Sequence, residues 1–424
     1  MRNFFSLPDS QSLHPEVVKH LRRNFFTNIM DAGFWYFGDS FVAAYTILPV
    51  FMSTLTDSPI LIGLIPALEG AGWFLPQLFL AKHLEGKDRR LPVVLKLGLF
   101  DRLPYLLLAM GAFFILKLDT EVAIVLFLII YVIKTFSSGL VALPWQELIA
   151  TVIPVSHRGR YWGFSLILGK IMGMAGAVIT GLMLTNIAYP LNYAYMFGVG
   201  FIGVSISYIF LSFNIEPKIK REISPESINV WRRIRKILSA DENFRIYLIN
   251  RGFVFLGSMG LGFVAVFGIQ KFGLPISYSA SFTLVMLISE IVGYGVWGTI
   301  GDTHGYKRII EYCSLGFVLG LLGLLFVKTV GGLYLVFGII SIAHSGEYIA
   351  DQNIAMEFGS EADRPTYIGM SKTLTGPFLL IAPIIGGGLV KLLGYPSMFL
   401  ISSIISLIAF VIIKFFVVEP RLLN

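Results

Sequence analysis

Gln146-Glu147-Leu148, with Arg158, Gly163, Ser165, Gly181 and Pro190 behind it, is written a second time 206 residues later as Gln352-Asn353-Ile354, Arg364, Gly369, Ser371, Gly387 and Pro396. Nearer the N-terminus the offset becomes 219, so that Asn24-Phe25 falls on Asn243-Phe244, Gly33-Phe34 on Gly252-Phe253 and Gly38 on Gly257. The change of offset places thirteen extra residues in the first copy, around its third and fourth apolar segments. Both copies consist of long apolar runs. The chain is one architecture used twice.

Composition fixes the solvent of that architecture. Of 424 residues, 55% are apolar and 14% charged, with a mean hydropathy of +0.76, against about 45–50% and about 25% in water-soluble domains. A soluble fold could not hide that much apolar surface, so the bilayer takes the place of water. Backbone groups in lipid are satisfied only in helices or closed barrels. Barrel strands alternate in polarity over about ten residues, whereas these runs stay apolar for twenty or more. Helices follow. The single cysteine, Cys313, excludes an internal disulfide. Asp9, His14, Glu16, Lys19, Arg22 and Arg23 interrupt the N-terminal stretch, which is therefore read as a retained tail and not a signal peptide.

A hydrocarbon core about 30 Å thick needs about 20 helical residues. Twelve stretches qualify: 24–52, 59–82, 91–116, 120–146, 160–186, 189–214, 244–270, 277–300, 308–327, 332–356, 365–390 and 395–418. The expected fold is all-α, a polytopic membrane protein with twelve transmembrane helices in two pseudo-symmetric six-helix bundles. Its parts are a cytoplasmic tail 1–23, a bundle 24–214, a cytoplasmic linker 215–242, a second bundle 243–418 and a tail 419–424. With both termini cytoplasmic, 21 of the 33 basic residues lie on the inner side and four on the outer, the asymmetry expected of such proteins. The expected location is the cytoplasmic (inner) membrane. Net charge +7 needs no nucleic-acid partner, because basic loops beside anionic membrane lipid account for it. The stretch Ile228 to Leu238 is read either as an amphipathic helix on the inner leaflet or as a solvated connector.

At the end of the eighth span stands Gly298-Thr-Ile-Gly301-Asp302-Thr-His-Gly305-Tyr-Lys307-Arg308. It resembles the signature loop of the major facilitator superfamily, Gly-x-x-x-Asp-x-x-Gly followed by basic residues. Gly305 suits a tight turn between helices, and Asp302 is expected to accept loop amides or to pair with a cation. The first-half counterpart, Lys82-His83-Leu-Glu85-Gly86-Lys-Asp88-Arg89-Arg90, keeps Gly86 and the basic pair Arg89 and Arg90 but has His83 near the position of the aspartate. The resemblance implies the fold of that family, and a gating role for Gly301, Asp302, Gly305, Lys307, Arg308, Gly86, Arg89 and Arg90. It names no substrate. Neither a Gly-Pro-x-x-Gly-Gly motif in span five nor a complete sugar-porter Pro-Glu-Ser-Pro-Arg motif is present.

Ionisable groups near the bilayer centre cost about 2.5–3.5 kcal/mol or more and mark functional positions. Candidates for substrate contact or coupling are Asp39, Glu69, Lys134, Lys170, Glu290, His344, Glu347 and Asp351. His344, Glu347 and Asp351 share one helix face by their i, i+3, i+7 spacing. The duplication supplies a control: under the 206 offset they fall on Ser138, Val141 and Trp145, Lys134 falls on Ile340 and Lys170 on Gly376, and under 219 Asp39 falls on Ser258. Groups that merely hold the shared scaffold should recur in both halves, and these do not. Lys134 and Lys170 need a carboxylate or carbonyl, with Asp39 and Glu69 as candidates. Asp31, Arg251 and Asp101-Arg102 are read as gate or interface ion pairs. No metal site is expected, because three ligands on one helix face rarely converge without others.

These features, with the resemblance, point to a secondary transporter moving a small organic solute by alternating access between its two halves. A proton carried by Glu290, Asp39 or Glu347 is the expected coupling ion, and a monomer the expected functional form. No nucleotide-binding glycine loop is present, and no enzymatic activity or cofactor is expected. The alternative is a non-transporting membrane protein of the same fold, such as a sensor, lipid-handling or assembly factor. A sugar or other polar metabolite and an amphipathic organic molecule both remain open as solutes.

Overall fold

The computed structural model describes residues 14–84, 87–114, 118–219, 230–359 and 364–422, and all of the regular structure among them is helical. Gly86, expected in the first-half gating loop, lies outside the described residues. Nine described segments are long and apolar enough to cross a membrane. They include α5 (Thr120–Val152), α6 (Val155–Asn186), α7 (Leu191–Ser212), α11 (Tyr278–His304), α12 (Tyr306–Phe326) and α13 (Val330–Asn353). Two further helices are α3 (Pro59–Leu84) and α4 (Leu91–Phe114), the latter bearing Lys96, Asp101 and Arg102. The 53-residue α14 (Arg364–Phe416) is two helices end to end, broken at Gly394 where φ is +79°. On the linker, α8 spans Val230–Ala240; Ile228 and Asn229 of the stretch read there lie outside the described residues.

The first and seventh spans are each interrupted at the same duplicated place. Helix α1 (Pro15–Asp39) gives way to a 3-10 turn, Ser40–Val42, before α2 (Ile47–Leu55). Helix α9 (Glu242–Gly257) gives way to Ser258–Phe263 before α10 (Val264–Phe272). Gly38 and Gly257, one repeat apart, stand at the helix ends beside the breaks, and both glycines let a neighbouring backbone come close. A Cβ on Gly38 would lie 2.6 Å from the Gly200 carbonyl oxygen of α7, and one on Gly257 would lie 2.4 Å from Ser406 Oγ of α14. Gly200 and Ser406 are themselves 206 apart.

A second duplicated device closes each half. Asn24 donates from Nδ2 to the Ile215 carbonyl and accepts the Ile215 N–H at Oδ1, both at 2.9 Å. Asn243 does the same to Val418, at 3.0 and 2.8 Å. One amide thus satisfies both main-chain groups of the residue just beyond the last helix of its half, where helical partners have run out.

The chain divides into two compact units, Met1–Ala43 with Gly72–Ser224, and Ala44–Ala71 with Pro225–Asn424. In the first, α1 packs on α6 and α7, and α4 on α5 and α7. The contact of α6 with α1 is made by small residues: a Cβ on Gly169 would meet the Tyr36 ring at 2.3 Å and one on Gly176 would meet Ser40 Oγ at 2.1 Å. In the second unit, α9 packs on α14, α12 on α13 and α14, and α11 on α13.

Candidate functional site

In the first unit, the broken end of α1 presents Asp39 to α4 and α5. Asp39 Oδ1 accepts a hydrogen bond from Tyr105 OH at 2.9 Å and lies 3.2 Å from Lys134 Nζ. Lys134 is 1% exposed while Asp39 is 27% exposed, so the pair offers an open carboxylate backed by a sealed cation. The ammonium also sits 6.0 and 5.9 Å from the ring centres of Tyr105 and Tyr131, which lowers its cost of burial. Of the two carboxylates the sequence offered Lys134, Asp39 is the one found beside it. Lys170 lies 5.3 Å from the Tyr36 ring centre, a contact made possible by Gly169.

The same unit has a separate polar layer. Asp31 accepts from Ser207 Oγ at 2.6 Å and Trp145 Nε1 at 3.3 Å. Asp101 pairs with Arg102 at 2.9 Å and accepts from Ser138 Oγ at 2.5 Å. Arg102 also donates to the Val204 carbonyl and Ser207 Oγ, each at 3.3 Å. These bonds tie α1, α4, α5 and α7 together; Asp101 and Arg102 form the expected ion pair, whereas Asp31, also expected in one, is held by a hydroxyl and an indole instead.

In the second unit, the three acidic and imidazole groups of α13 part company. Glu347 is bonded to Arg251 of α9, and Asp351 lies 3.1 Å from Arg251 Nη2 and against Lys372 Nζ of α14. Arg251 is 1% exposed. Two cations and two anions thus close a neutral buried tetrad joining α9, α13 and α14. Breaking such a pair from one side costs about 3–5 kcal/mol. His344 points elsewhere. Its Nδ1 lies 3.5 Å from Glu290 Oε1 of α11, and its ring meets that of Tyr45 edge-on at 5.3 Å. Glu290 is buried and Glu69 of α3 lies, like Glu290, within electrostatic range of the Tyr45 hydroxyl. Beside them Thr46 and Thr283 share a hydroxyl–hydroxyl bond at 2.7 Å. A carboxylate, an imidazole and a phenol thus lie close together here.

Three members of these clusters were not among the sequence candidates: Tyr45, Tyr105 and Lys372. The duplication carried a signal for two of them, since Tyr45 falls on Val264 under the 219 offset and Lys372 on Leu166 under 206. Tyr105 lies in the stretch where the offset changes, so no counterpart could flag it.

The loop between α11 and α12 turns at Gly305, with φ +84° and ψ 165°, a conformation open to glycine alone at little cost. Lys307 and Arg308 reach forward to Glu311, at 3.2 and 3.0 Å. The Asp302 carboxylate is exposed and makes no ion pair or hydrogen bond among the described residues. The expected role of Asp302 as loop acceptor falls instead to main-chain oxygens: Arg421 Nη1 donates to the Gly301 carbonyl at 2.9 Å and approaches that of Asp302 at 3.4 Å. In the first half Arg89 is exposed, while Arg90 is buried against Glu147 and its main-chain N–H donates to Glu216 at 2.7 Å.

Residues 249–423 match the family model described as Major Facilitator Superfamily. No curated relative matches the chain by sequence. Solved structures match along nearly its whole length. A variant of the nucleoside transporter NupG aligns with a TM-score of 0.71 at 15% identity, over 92% of this chain and 99% of its own. A D-xylose-proton symporter gives 0.70 at 16% identity, over 94% and 98%. A POT family transporter crystallised with a thioalcohol-conjugated peptide gives 0.69 at 12% identity, over 93% and 95%. At these identities the likeness establishes the fold.

Proposed function

We propose that this chain, which belongs to the Major Facilitator Superfamily in its fold throughout and in its sequence over residues 249–423, is a secondary transporter of a small organic solute driven by protons. The observation that carries the reading is the Glu290–His344 pair at 3.5 Å, with Tyr45 against the imidazole. A carboxylate and an imidazole in that position pass one proton between them with no change in the pair's net charge, and giving the proton up leaves a carboxylate whose charge the bilayer opposes by about 2.5–3.5 kcal/mol or more. Loading the pair and emptying it from the other side couples the proton to an alternating-access cycle. Asp39, Lys134 and Tyr105 supply a second polar cluster in the other unit, with Asp39 as the group open to a solute. Glu347 and Asp351, matched by Arg251 and Lys372, serve structure and gating in this reading. The distribution of basic residues supports a cytoplasmic location for both termini.

The test is accumulation in proteoliposomes with an imposed pH gradient. The solute panel includes nucleosides, sugars such as xylose, and short peptides, the kinds of ligand named for proteins of this fold. Once a solute is found, Glu290→Gln is expected to abolish uphill accumulation while leaving counterflow exchange. Undiminished accumulation in that variant removes Glu290 from coupling, and absence of flux for every solute class favours the non-transporting alternative.

A further inference from the structure

The buried polar layer of the first unit is short of a positive charge. Asp31 of α1 and Asp101 and Arg102 of α4 are all buried. Arg102 gives a direct bond to one acid alone, from Nη1 to Asp101 Oδ2 at 2.9 Å. Its other bonds go to the Gly98 and Val204 carbonyls and to Ser207 Oγ, at 3.2, 3.3 and 3.3 Å. Asp101 also meets Ser138 Oγ at 2.5 Å. Asp31 has no cation in contact. Its hydrogen-bond partners among the described residues are Ser207 Oγ at 2.6 Å and Trp145 Nε1 at 3.3 Å. Among the described residues, Arg102 and Asp101 are the charged groups within electrostatic range of it, and Tyr161 of α6 is the titratable hydroxyl that faces it. Lys134 of α5 and Lys170 of α6 stand farther along α1, beside Asp39 and Tyr36. Tyr208 of α7 gives its hydroxyl to the Leu95 carbonyl and its ring to Arg102.

The duplication supplies the comparison. Under the 219 offset Asp31 falls on Asn250. Asn250 Nδ2 donates to the Ala409 carbonyl of α14 at 2.6 Å. Ala409 stands 206 residues after Gly203 of α7, one turn before Ser207, so the two places correspond. The shared scaffold therefore takes a neutral group here. A carboxyl carrying a proton is the acid equivalent of that amide, because both offer one donor and one acceptor on the same frame. Where the second half does bury acids, it matches them: Glu347 and Asp351 meet Arg251 and Lys372, charge for charge. The first half sets two acids beside one guanidinium.

We infer that Asp31 is a proton-binding site, its proton held toward Ser207 while the negative charge of the layer rests on Asp101. Two buried acids and one guanidinium leave one negative charge over, and an unmatched charge inside the bilayer is strongly opposed. The direct charge-assisted bond to Arg102 makes Asp101 the ionised acid. Asp31 is left to take the proton. Its O–H then donates to Ser207 Oγ, whose two lone pairs can accept it together with the Arg102 N–H. With the proton in place, the seam of α1 with α4 and α7 is neutral; without it, the seam carries a charge that works against its own burial. The site is distinct from Glu290 and His344, which lie in the other unit, and from Asp39, eight residues or about 12 Å along α1. It holds a proton whether or not the chain moves a solute.

Infrared spectroscopy of the full chain in lipid nanodiscs tests this without a substrate, with the aspartate side-chain carboxyls labelled with heavy carbon. At about pH 7 ordinary aspartates, which titrate at about 3.9, are ionised. Wild-type protein is expected to show a label-sensitive carboxylic-acid C=O band there. Asp31→Asn is expected to lose that band and still to fold, since Asn250 fills the matching place in the other half. Asp101→Asn, which leaves the guanidinium to Asp31, is expected to lose the band as well although Asp31 is still present. A wild-type spectrum without such a band overturns the site, and so does a band that survives undiminished in either variant. The wild-type spectrum suffices to overturn it even if a variant folds poorly.

Discussion

At the residue scale, the structure separates charges that are matched from charges that are available. Lys134 is sealed at 1% exposure against the partly open Asp39. Asp39→Asn should leave a buried ammonium without its counter-charge and cost about 3–5 kcal/mol, read as a lower thermal midpoint of the purified protein. Adding Lys134→Met to that variant should recover much of the loss; an additive or unchanged double variant would contradict the pairing. The sequence left Asp39 and Glu69 open as partners for Lys134 and Lys170, with Asp39 and Lys134 both marked as specific to one half. It grouped His344, Glu347 and Asp351 because they share a face, and here the helix geometry explains the difference. Seven residues along a helix cover about 10 Å, so the two ends of one stripe meet different neighbours, α11 for His344 and α9 with α14 for Asp351. Spacing along one helix cannot identify those neighbours.

At the level of helices, the repeat governs where they break and how they end. The interruptions beside Gly38 and Gly257 were not foreseen, since 24–52 and 244–270 read as unbroken spans; the 3-10 turns follow from how close α7 and α14 come, which no local pattern reveals. The asparagine clamps were visible only as one aligned pair, Asn24 and Asn243, because their partners are main-chain groups with no side-chain signature. Asn243→Ala removes two hydrogen bonds at the end of α14 and should cost about 1–3 kcal/mol. Limited proteolysis is expected to cut the tail beyond Phe416 several-fold faster, about in line with that loss. Cleavage at the wild-type rate would mean that the tail is held by other contacts. Asn24→Ala should have the matching effect at Ile215.

For the molecule as a whole, duplication supplies the scaffold and departures from it supply the chemistry. The shared elements, the paired breaks and clamps, build a frame that works twice. Set against it are the one-sided groups: Asp39 with Lys134 in one unit, Glu290 with His344 and Tyr45 in the other. Composition and repetition made the fold legible in the amino-acid sequence, since an apolar chain read twice leaves few architectures. The proposed coupling pair was less legible, because Glu290 and His344 lie 54 residues apart on different helices and only packing brings them together. The most direct test records proton and solute fluxes together in proteoliposomes. Wild-type protein is predicted to move protons in fixed ratio to solute and Glu290→Gln to move solute with none. Solute-dependent proton movement persisting in that variant at the wild-type ratio would contradict the account.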